Sequence, residues 1–546
     1  MKRSVLPNLC CISLFLLFVC FAEYQEKRLN GNFLGFPLDD AWIHMTFGRN
    51  LANNLGFGII PNINSGASTS LLWSFWVAFL HFFFGPWGLK FVILSVKMSG
   101  VILTLLTLLG LTRISQYFVQ NDYLRLFVLL FVVTIYPLSW AALSGMEVSL
   151  NIFLCVVALL FQIEGCSNQG TTHQRRIAAI FWTLAVITRP ENLLLLVVMF
   201  PILAVNERLG FRKGFLDLAL WSSPLIISYH IFYYWLGGHP FPSTLTAKMT
   251  ERALPLIAAS GNLSGFIRAL VTSPMKDLAE TFQFLFLENP LYPVLWFIAV
   301  FSVIRSFRSE KFLLTMPQKA SVMAALMILP AQAIFVGLLA GPEFYTLFHG
   351  RYLAHTAVLS GIIAVSIASD IWFQRGKPKW IFLLLIPVGL FVIDRQIELA
   401  KGYGLEVQNI SNLQVAFGRW FGEKMPQGLT VGMNDIGAFS YFANQKLVDL
   451  EGLATPDTIA WRRKGKLDEY LDKARPDFLL IFPYWYPDII QKKDKYRPVL
   501  KRSVDHNYTG GGDELYLFLT PWTSYIPASW PVPPRELIPR EVPVPK

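Results

Sequence analysis

Leu38-Asp39-Asp40-Ala41-Trp42-Ile43-His44 follows closely on the first long apolar run of the chain. Two adjacent carboxylates at a water–membrane boundary repel each other and add nothing to a core, so this choice of residues points to chemistry. Proton abstraction or metal binding is the expectation. Carried on through Met45-Thr46-Phe47-Gly48-Arg49-Asn50, the stretch reads as a juxtamembrane helix. Asp40 and His44 stand four apart on one face, and Trp42, Ile43 and Phe47 are available to the membrane.

The surrounding composition sets the class. Of 546 residues, 54% are hydrophobic and 15% charged, with a mean hydropathy of +0.45, too apolar for a soluble protein of this length. Apolar runs of the ~20 residues needed to cross a bilayer core recur up to Asp394. The expected spans are 5–22, 89–112, 124–143, 147–164, 177–189, 191–206, 216–236, 291–306, 320–340, 353–371 and 380–394. Lys2-Arg3 and the run to Phe21 could form a signal peptide, but Val19-Cys20-Phe21-Ala22 is a poor cleavage site, so an uncleaved first span is expected.

The net charge of +11 does not point to nucleic acid, because much of the excess sits in short loops between apolar runs. With Ser70–Phe84 left out as a span, Lys2/Arg3, Arg113/Arg125, Arg175/Arg176, Arg208/Arg212/Lys213, Arg305/Arg308/Lys311 and Arg375/Lys377/Lys379 all fall on the cytoplasmic side. Ser70–Phe84 is then a helix in the outer interface, with Trp73, Trp76 and His81 suited to that depth. The same parity puts 23–88, 237–290, 341–352 and everything after Asp394 outside. Arg189-Pro190-Glu191 breaks two short apolar runs, which fits helices meeting at a cavity or a simple outer turn.

Residues 1–394 thus form a transmembrane module whose outer loop 23–88 carries the acidic pair, and 395–546 a small extracytoplasmic domain. In the latter, a helix over Leu405–Lys424, strands over Leu429–Met433, Lys446–Leu450 and Asp477–Phe482, and a helix over Leu467–Ala474 predict an α/β unit. Asp435, in Asn434-Asp435-Ile436-Gly437, is expected to cap the helix that follows the first strand. The tail after Pro521 is proline-rich. None of the five cysteines lies in this domain, and Gly510-Gly511-Gly512 lacks the spacing of a nucleotide fingerprint, which leaves a cytosolic nucleotide-sugar donor unsupported.

Several short motifs occur in order: Asp39-Asp40 with Arg49-Asn50, Ser144-Gly145-Met146-Glu147, Arg189-Pro190-Glu191, Thr244-Leu245-Thr246-Ala247-Lys248, Gly350-Arg351-Tyr352, Asp435-Ile436-Gly437-Ala438 and Asp449-Leu450-Glu451-Gly452-Leu453. On these the chain resembles the GT-C superfamily of integral-membrane glycosyltransferases, in particular bacterial arabinofuranosyl- and mannosyltransferase-like members. The resemblance implies a mainly α, GT-C-like membrane protein of about eleven transmembrane helices, with juxtamembrane helices in the first outer loop and a small C-terminal α/β domain. It further implies a bacterial inner membrane and a polyprenyl-phosphate sugar donor used on the outer side. The sugar stays open, as does the acceptor: lipopolysaccharide, another envelope glycan, a lipid or a protein.

Such a donor leaves as a stable anion, so only the acceptor hydroxyl needs help. Asp39 or Asp40 is the expected base. Lys248, Arg351 and Arg189 are expected to bind the donor phosphate, where the alternative for Lys248 and Arg351 is snorkelling at helix ends. Glu147 is a candidate for orienting the acceptor or for capping its helix, His44 and His349 are candidates for contacting the acceptor or for interfacial hydrogen bonds, and a Mg, Mn or Ca ion on Asp39, Asp40 and His44 is a further expectation. Direct attack predicts inversion at the anomeric carbon. A multi-pass transporter and a glycan polymerase or ligase are the competing readings.

Overall fold

The computed structural model describes residues 5–31, 33–205, 210–307, 314–341, 347–374 and 385–527. Lys2, Arg3, Arg208, Arg308, Lys311, Arg375, Lys377, Lys379 and the end of the proline-rich tail lie outside the described residues.

Helix α1 (Leu6–Asn30) leads through an extended segment to α2 (Asp39–Ala52), whose first turn holds both carboxylates, where the helix dipole favours negative charge. Next come α3 (Leu71–Phe84) and α4 (Leu89–Ser115). At 1.5 Å per residue α3 is about 21 Å long, shorter than the ~30 Å bilayer core. It exposes Phe75, Trp76, Phe79, Phe82 and Phe83. Trp73 and His81, read as interfacial, are buried instead: the Trp73 indole donates to the Gly145 carbonyl at 2.8 Å, and His81 lies against Val77 and Tyr441. Their polar atoms find partners inside the protein, which a headgroup region would otherwise supply.

The expected span 124–143 is interrupted at Tyr136-Pro137 into α5 (Asp122–Ile135) and α6 (Leu138–Leu143). Then follow α7 (Val148–Gly165), α8 (Thr172–Thr188), α9 (Leu193–Ala204) and α10 (Gly210–Gly237). The connection 237–290 holds α11 (Ser243–Ala247), α12 (Leu254–Ala259) and the long α13 (Leu263–Glu288). Arg268, Lys276, Asp277 and Glu280 dilute the apolar pattern of α13. It bends by 119° into α14 (Leu291–Ser306). The module closes with α15 (Met316–Ala340), the short α16 (Leu347–Gly350), α17 (Ala354–Gln374) and α18 (Leu385–Ile410). Among the described residues, six helices are long and apolar enough to cross a bilayer, seven if α13 and α14 count as one bent span. The remaining expected spans are the interrupted, shorter or more polar helices, and residues 380–384 of the expected span 380–394 lie outside the described residues.

Gly100 permits α4 to touch α6, since a Cβ there would lie 2.0 Å from the Ala142 carbonyl oxygen. Lys97 of α4 reaches Glu23 (2.9 Å) and the buried Glu26 of α1, and Glu26 in turn accepts from the Gly35 N–H at 2.9 Å. This trio fixes the segment that delivers α2.

α18 lies along α1 and continues through a π-turn (Ser411–Val415) into α19 (Ala416–Lys424). Strand β1 (Thr430–Met433), α20 (Gly437–Ala443), β2 (Lys446–Asp449), α21 (Asp457–Arg463), α22 (Leu467–Ala474) and β3 (Phe478–Ile481) follow, then β4 (Arg497–Ser503) and β5 (Glu514–Leu519). The sheet order is β2-β1-β3-β5-β4, parallel over its first three strands and antiparallel at β5 and β4. One apolar cluster unites Ile43 and Phe47 of α2 and Tyr233 of α10 with Phe417, Phe439 and Phe478, so the sheet unit is packed onto the helical module.

Removing the only cation of the α1–α4 trio would leave carboxylates uncompensated inside the protein. Lys97→Met is expected to destabilise by about 3–5 kcal/mol, read by thermal unfolding in detergent, and Glu26→Gln added to it is expected to restore part of the loss. Equal stability of Lys97→Met and the parent would contradict this.

Candidate active site

Neighbouring residues on a helix diverge by about 100°, and Asp39 and Asp40 use that divergence. Asp39 faces the sheet unit, where its Oδ2 accepts from the Gly437 N–H at 2.6 Å and its Oδ1 from the Ala438 N–H at 2.8 Å. These are the first amides of α20. Gly437 is required here, because a Cβ would lie 2.1 Å from the Asp39 carbonyl oxygen. Asp39 therefore caps a helix nearly four hundred positions away, the duty expected of Asp435. Asp435 instead accepts from the Gln414 amide at 2.8 Å.

Burial and the nearby Asp435 charge push the Asp39 pKa up, against the pull of its two N–H donors, and burial pushes Asp435 up to about 6. Both Asp39 oxygens already accept N–H bonds, an arrangement that suits the anion. The two carboxyls titrate as a pair, with the anion favoured at Asp39 by its two backbone N–H donors.

Asp40 turns into a cleft of about 710 Å³. Its Oδ2 lies 2.6 Å from Arg351 Nη2 and 3.6 Å from Lys248 Nζ. Burial alone would raise its pKa, but Lys248 and Arg351 outweigh burial and hold the carboxyl well below the usual range. Lys248 follows α11, and Arg351 follows α16, where Phe348 and His349 adopt left-handed backbone angles (φ 49° and 58°). Two short, irregular connections thus bring cations to one carboxylate.

Arg189, at the break between α8 and α9, lines the same cleft. Its guanidinium contacts Glu147 at 2.7 Å and Glu191 at 2.6 Å and lies over the Tyr352 ring, 4.6 Å from its centroid. Glu147 passes the contact on to His44 Nε2 (3.2 Å), whose Nδ1 meets Ser74 Oγ at 3.0 Å. The Tyr352 hydroxyl accepts from Lys248 and from Arg351, both at 3.4 Å. Burial raises the Tyr352 pKa, yet Lys248, Arg351 and Arg189 together bring it below the ordinary phenol value.

Asp40, Glu147, Arg189, Lys248 and Arg351 thus share one cleft. Glu191 and Tyr352, quoted within motifs without a role of their own, belong to it as well. His44 stands behind Glu147, so it can orient that carboxylate rather than line the main cleft. His349 is elsewhere, 2.6 Å from Glu406 and packed against the Trp140 ring at a tilt of 50°. The expected metal donors do not converge: Asp39 faces α20, Asp40 faces Arg351 and His44 faces Glu147 and Ser74. Among the described residues no group of three or more His, Cys, Asp or Glu side chains is arranged to hold a metal ion.

What remains is a cleft with three carboxylates and three cations, in which Asp40 faces Lys248 and Arg351 while Arg189 is held by Glu147 and Glu191, with the apolar side chains of Leu245, Val336 and Leu339 in the same wall. Such a cleft can take an anionic group attached to an apolar chain, and it keeps a proton acceptor within reach of that group.

Residues 403–519 match the model of a domain of unknown function, DUF8728. No curated protein matches the chain by sequence. Among solved structures, the archaeal oligosaccharyltransferase AglB from Archaeoglobus fulgidus, in complex with an inhibitory peptide and a dolichol-phosphate, is similar over 98% of this chain and 76% of its own, with a TM-score of 0.57 and 10% identity. The Archaeoglobus fulgidus oligosaccharyltransferase tethered with an acceptor peptide gives a TM-score of 0.56 and 11% identity over the same shares. ArnT from Cupriavidus metallidurans in the apo state gives a TM-score of 0.50 and 12% identity over 93% of this chain and 97% of its own. From the carboxylate couplet on α2 to the sheet unit that follows the membrane helices, the chain shares its fold with the AglB and ArnT structures.

Proposed function

We propose that this protein transfers a sugar from a polyprenyl-phosphate donor to an envelope glycan, lipid or protein acceptor on the outer side of a membrane, the side on which its C-terminal domain lies. The observation that carries the reading is Asp40 placed in one cleft with Arg351, Lys248 and Arg189. A fold shared with a structure that holds a dolichol-phosphate supports the choice of donor class.

In this scheme the donor phosphate takes Arg351 and Lys248, with Arg189 and the Tyr352 hydroxyl alongside. Asp40 loses its two cationic partners as it does so, and its pKa rises toward that of an ordinary carboxylate. Donor binding thereby converts a very weak base into a competent one. Asp40 takes the acceptor proton as the acceptor oxygen bonds to the anomeric carbon, and the bond from that carbon to the phosphate oxygen breaks with its electron pair left on the phosphate. The three cations stabilise the departing charge. Glu147, fixed between Arg189 and His44, orients acceptor hydroxyls. A single displacement inverts the anomeric centre.

With purified protein and a panel of polyprenyl-phosphate sugars, Asp40→Asn is expected to lower turnover by about 10²- to 10⁴-fold and the product of the parent to show inverted configuration. Turnover of Asp40→Asn at the parent rate would remove the base, and retention would remove the single displacement.

Asp39→Asn is expected to act through stability, lowering the thermal midpoint by an amount equivalent to about 1 kcal/mol as a helix cap is weakened. The pH dependence follows from Asp435, whose folded pKa of about 6 lies above its unfolded value. Its contribution is fully favourable below the unfolded value of about 3.9, declines as pH rises through about 6, and then levels off. Asp435→Asn should flatten the thermal midpoint over that interval. An unchanged profile in that variant would refute the assignment.

A further inference from the structure

Arg49 belongs to a motif that the cleft does not use. It lies about 14 Å farther along α2 than Asp40, at a second cavity of about 930 Å³ bounded by α2, α3, α4 and α20. Arg49 spends three of the five N–H donors of a guanidinium: two on Asn50 Oδ1 and one on the Tyr441 carbonyl. It forms no ion pair, and no carboxylate lines the cavity, among the described residues. Burial lowers its pKa, with Tyr441 opposing, which is the signature of a cation lacking a counter-charge.

The rest of the wall is of a different character. Asn53 stands beside Arg49 at the polar end, and Phe82, Leu89 and Val92 form an apolar side. That side runs on into an exposed aromatic face, where Phe79, Phe83, Trp87 and Phe91 are all about half exposed or more. Aromatic side chains exposed in this way favour the lipid interface. A cavity with one uncompensated guanidinium at one end and an open hydrocarbon-like wall at the other is complementary to an anionic amphiphile.

We infer that this cavity binds the phosphate headgroup of an anionic membrane lipid, with the phosphate on Arg49 and Asn53 and an acyl chain along Phe82, Leu89 and Val92. The site is separate from the Asp40 cleft and does not depend on the reading of that cleft. Bound there, the lipid would bridge α2, the helix that carries both carboxylates, to α4 and α20.

Native mass spectrometry of the full-length, detergent-purified protein titrated with phosphatidylglycerol tests this. Saturable binding to the parent is expected, weakened about tenfold or more in Arg49→Gln and recovered in Arg49→Lys. Ala52→Trp, which fills the cavity and leaves the guanidinium in place, should lose binding too, and it decides the matter if Arg49→Gln does not fold. Arg351→Gln should bind as the parent does. Glycerol phosphate, which has the headgroup anion without chains, should bind far more weakly. Parent-like uptake by folded Arg49→Gln or Ala52→Trp would overturn the proposal. Loss of binding in Arg351→Gln would place the lipid in the other cleft, and glycerol phosphate binding as tightly as the lipid would make the ligand a soluble anion.

Discussion

Two carboxylates joined by one peptide bond cannot both be neutralised by the same partners, and the structure resolves their repulsion by turning them apart. Asp39 receives the first two amides of α20, and Asp40 receives Arg351 and Lys248. The arrangement needs the rest of the fold. The α20 amides exist in the right place only because β1 and α19 hold that helix against α2, and the cations arrive on connections that follow α11 and α16. In the proposed scheme, the docking of the sheet unit and the readiness of the cleft are two consequences of one helical turn.

Charge inside an apolar protein persists only when it is compensated, and this chain compensates in linked groups. The Lys97 trio ties α1 to α4 and to the segment before α2. The series Glu191, Arg189, Glu147, His44 and Ser74 ties the α8–α9 break to α7, α2 and α3. These groups act on geometry as much as on stability, since each fixes a side chain that a lone charge would leave free to seek water. Among the described residues Arg49, like Arg175, forms no ion pair, and Arg49 lies at the second cavity.

Much of this is legible in the sequence. Charged residues at the ends of apolar runs are costly and therefore conspicuous, and Asp40, Glu147, Arg189, Lys248 and Arg351, picked out on that ground and by motif, share one cleft. Three strands of the sheet unit were visible as short apolar runs; β4 and β5 were not, because Pro498, Lys501 and Arg502 hide the first and a glycine-rich turn separates it from the second. Helix α13 was hidden by its own charges. The cap on α20 was misassigned for a deeper reason: local rules look for a capping side chain one residue away, and nothing in the sequence ties Gly437 to Asp39. His349 stood next to a cleft residue in sequence, but its left-handed backbone sends it toward Glu406.

In the proposed scheme Asp40 and an incoming phosphate compete for the same cations. The most direct measurement is the affinity of undecaprenyl phosphate for Asp40→Asn against the parent protein, taken at one pH and ionic strength. Competition predicts tighter binding to the variant, in which Arg351 and Lys248 no longer face a negative charge. Equal or weaker binding would show that the phosphate does not use those cations.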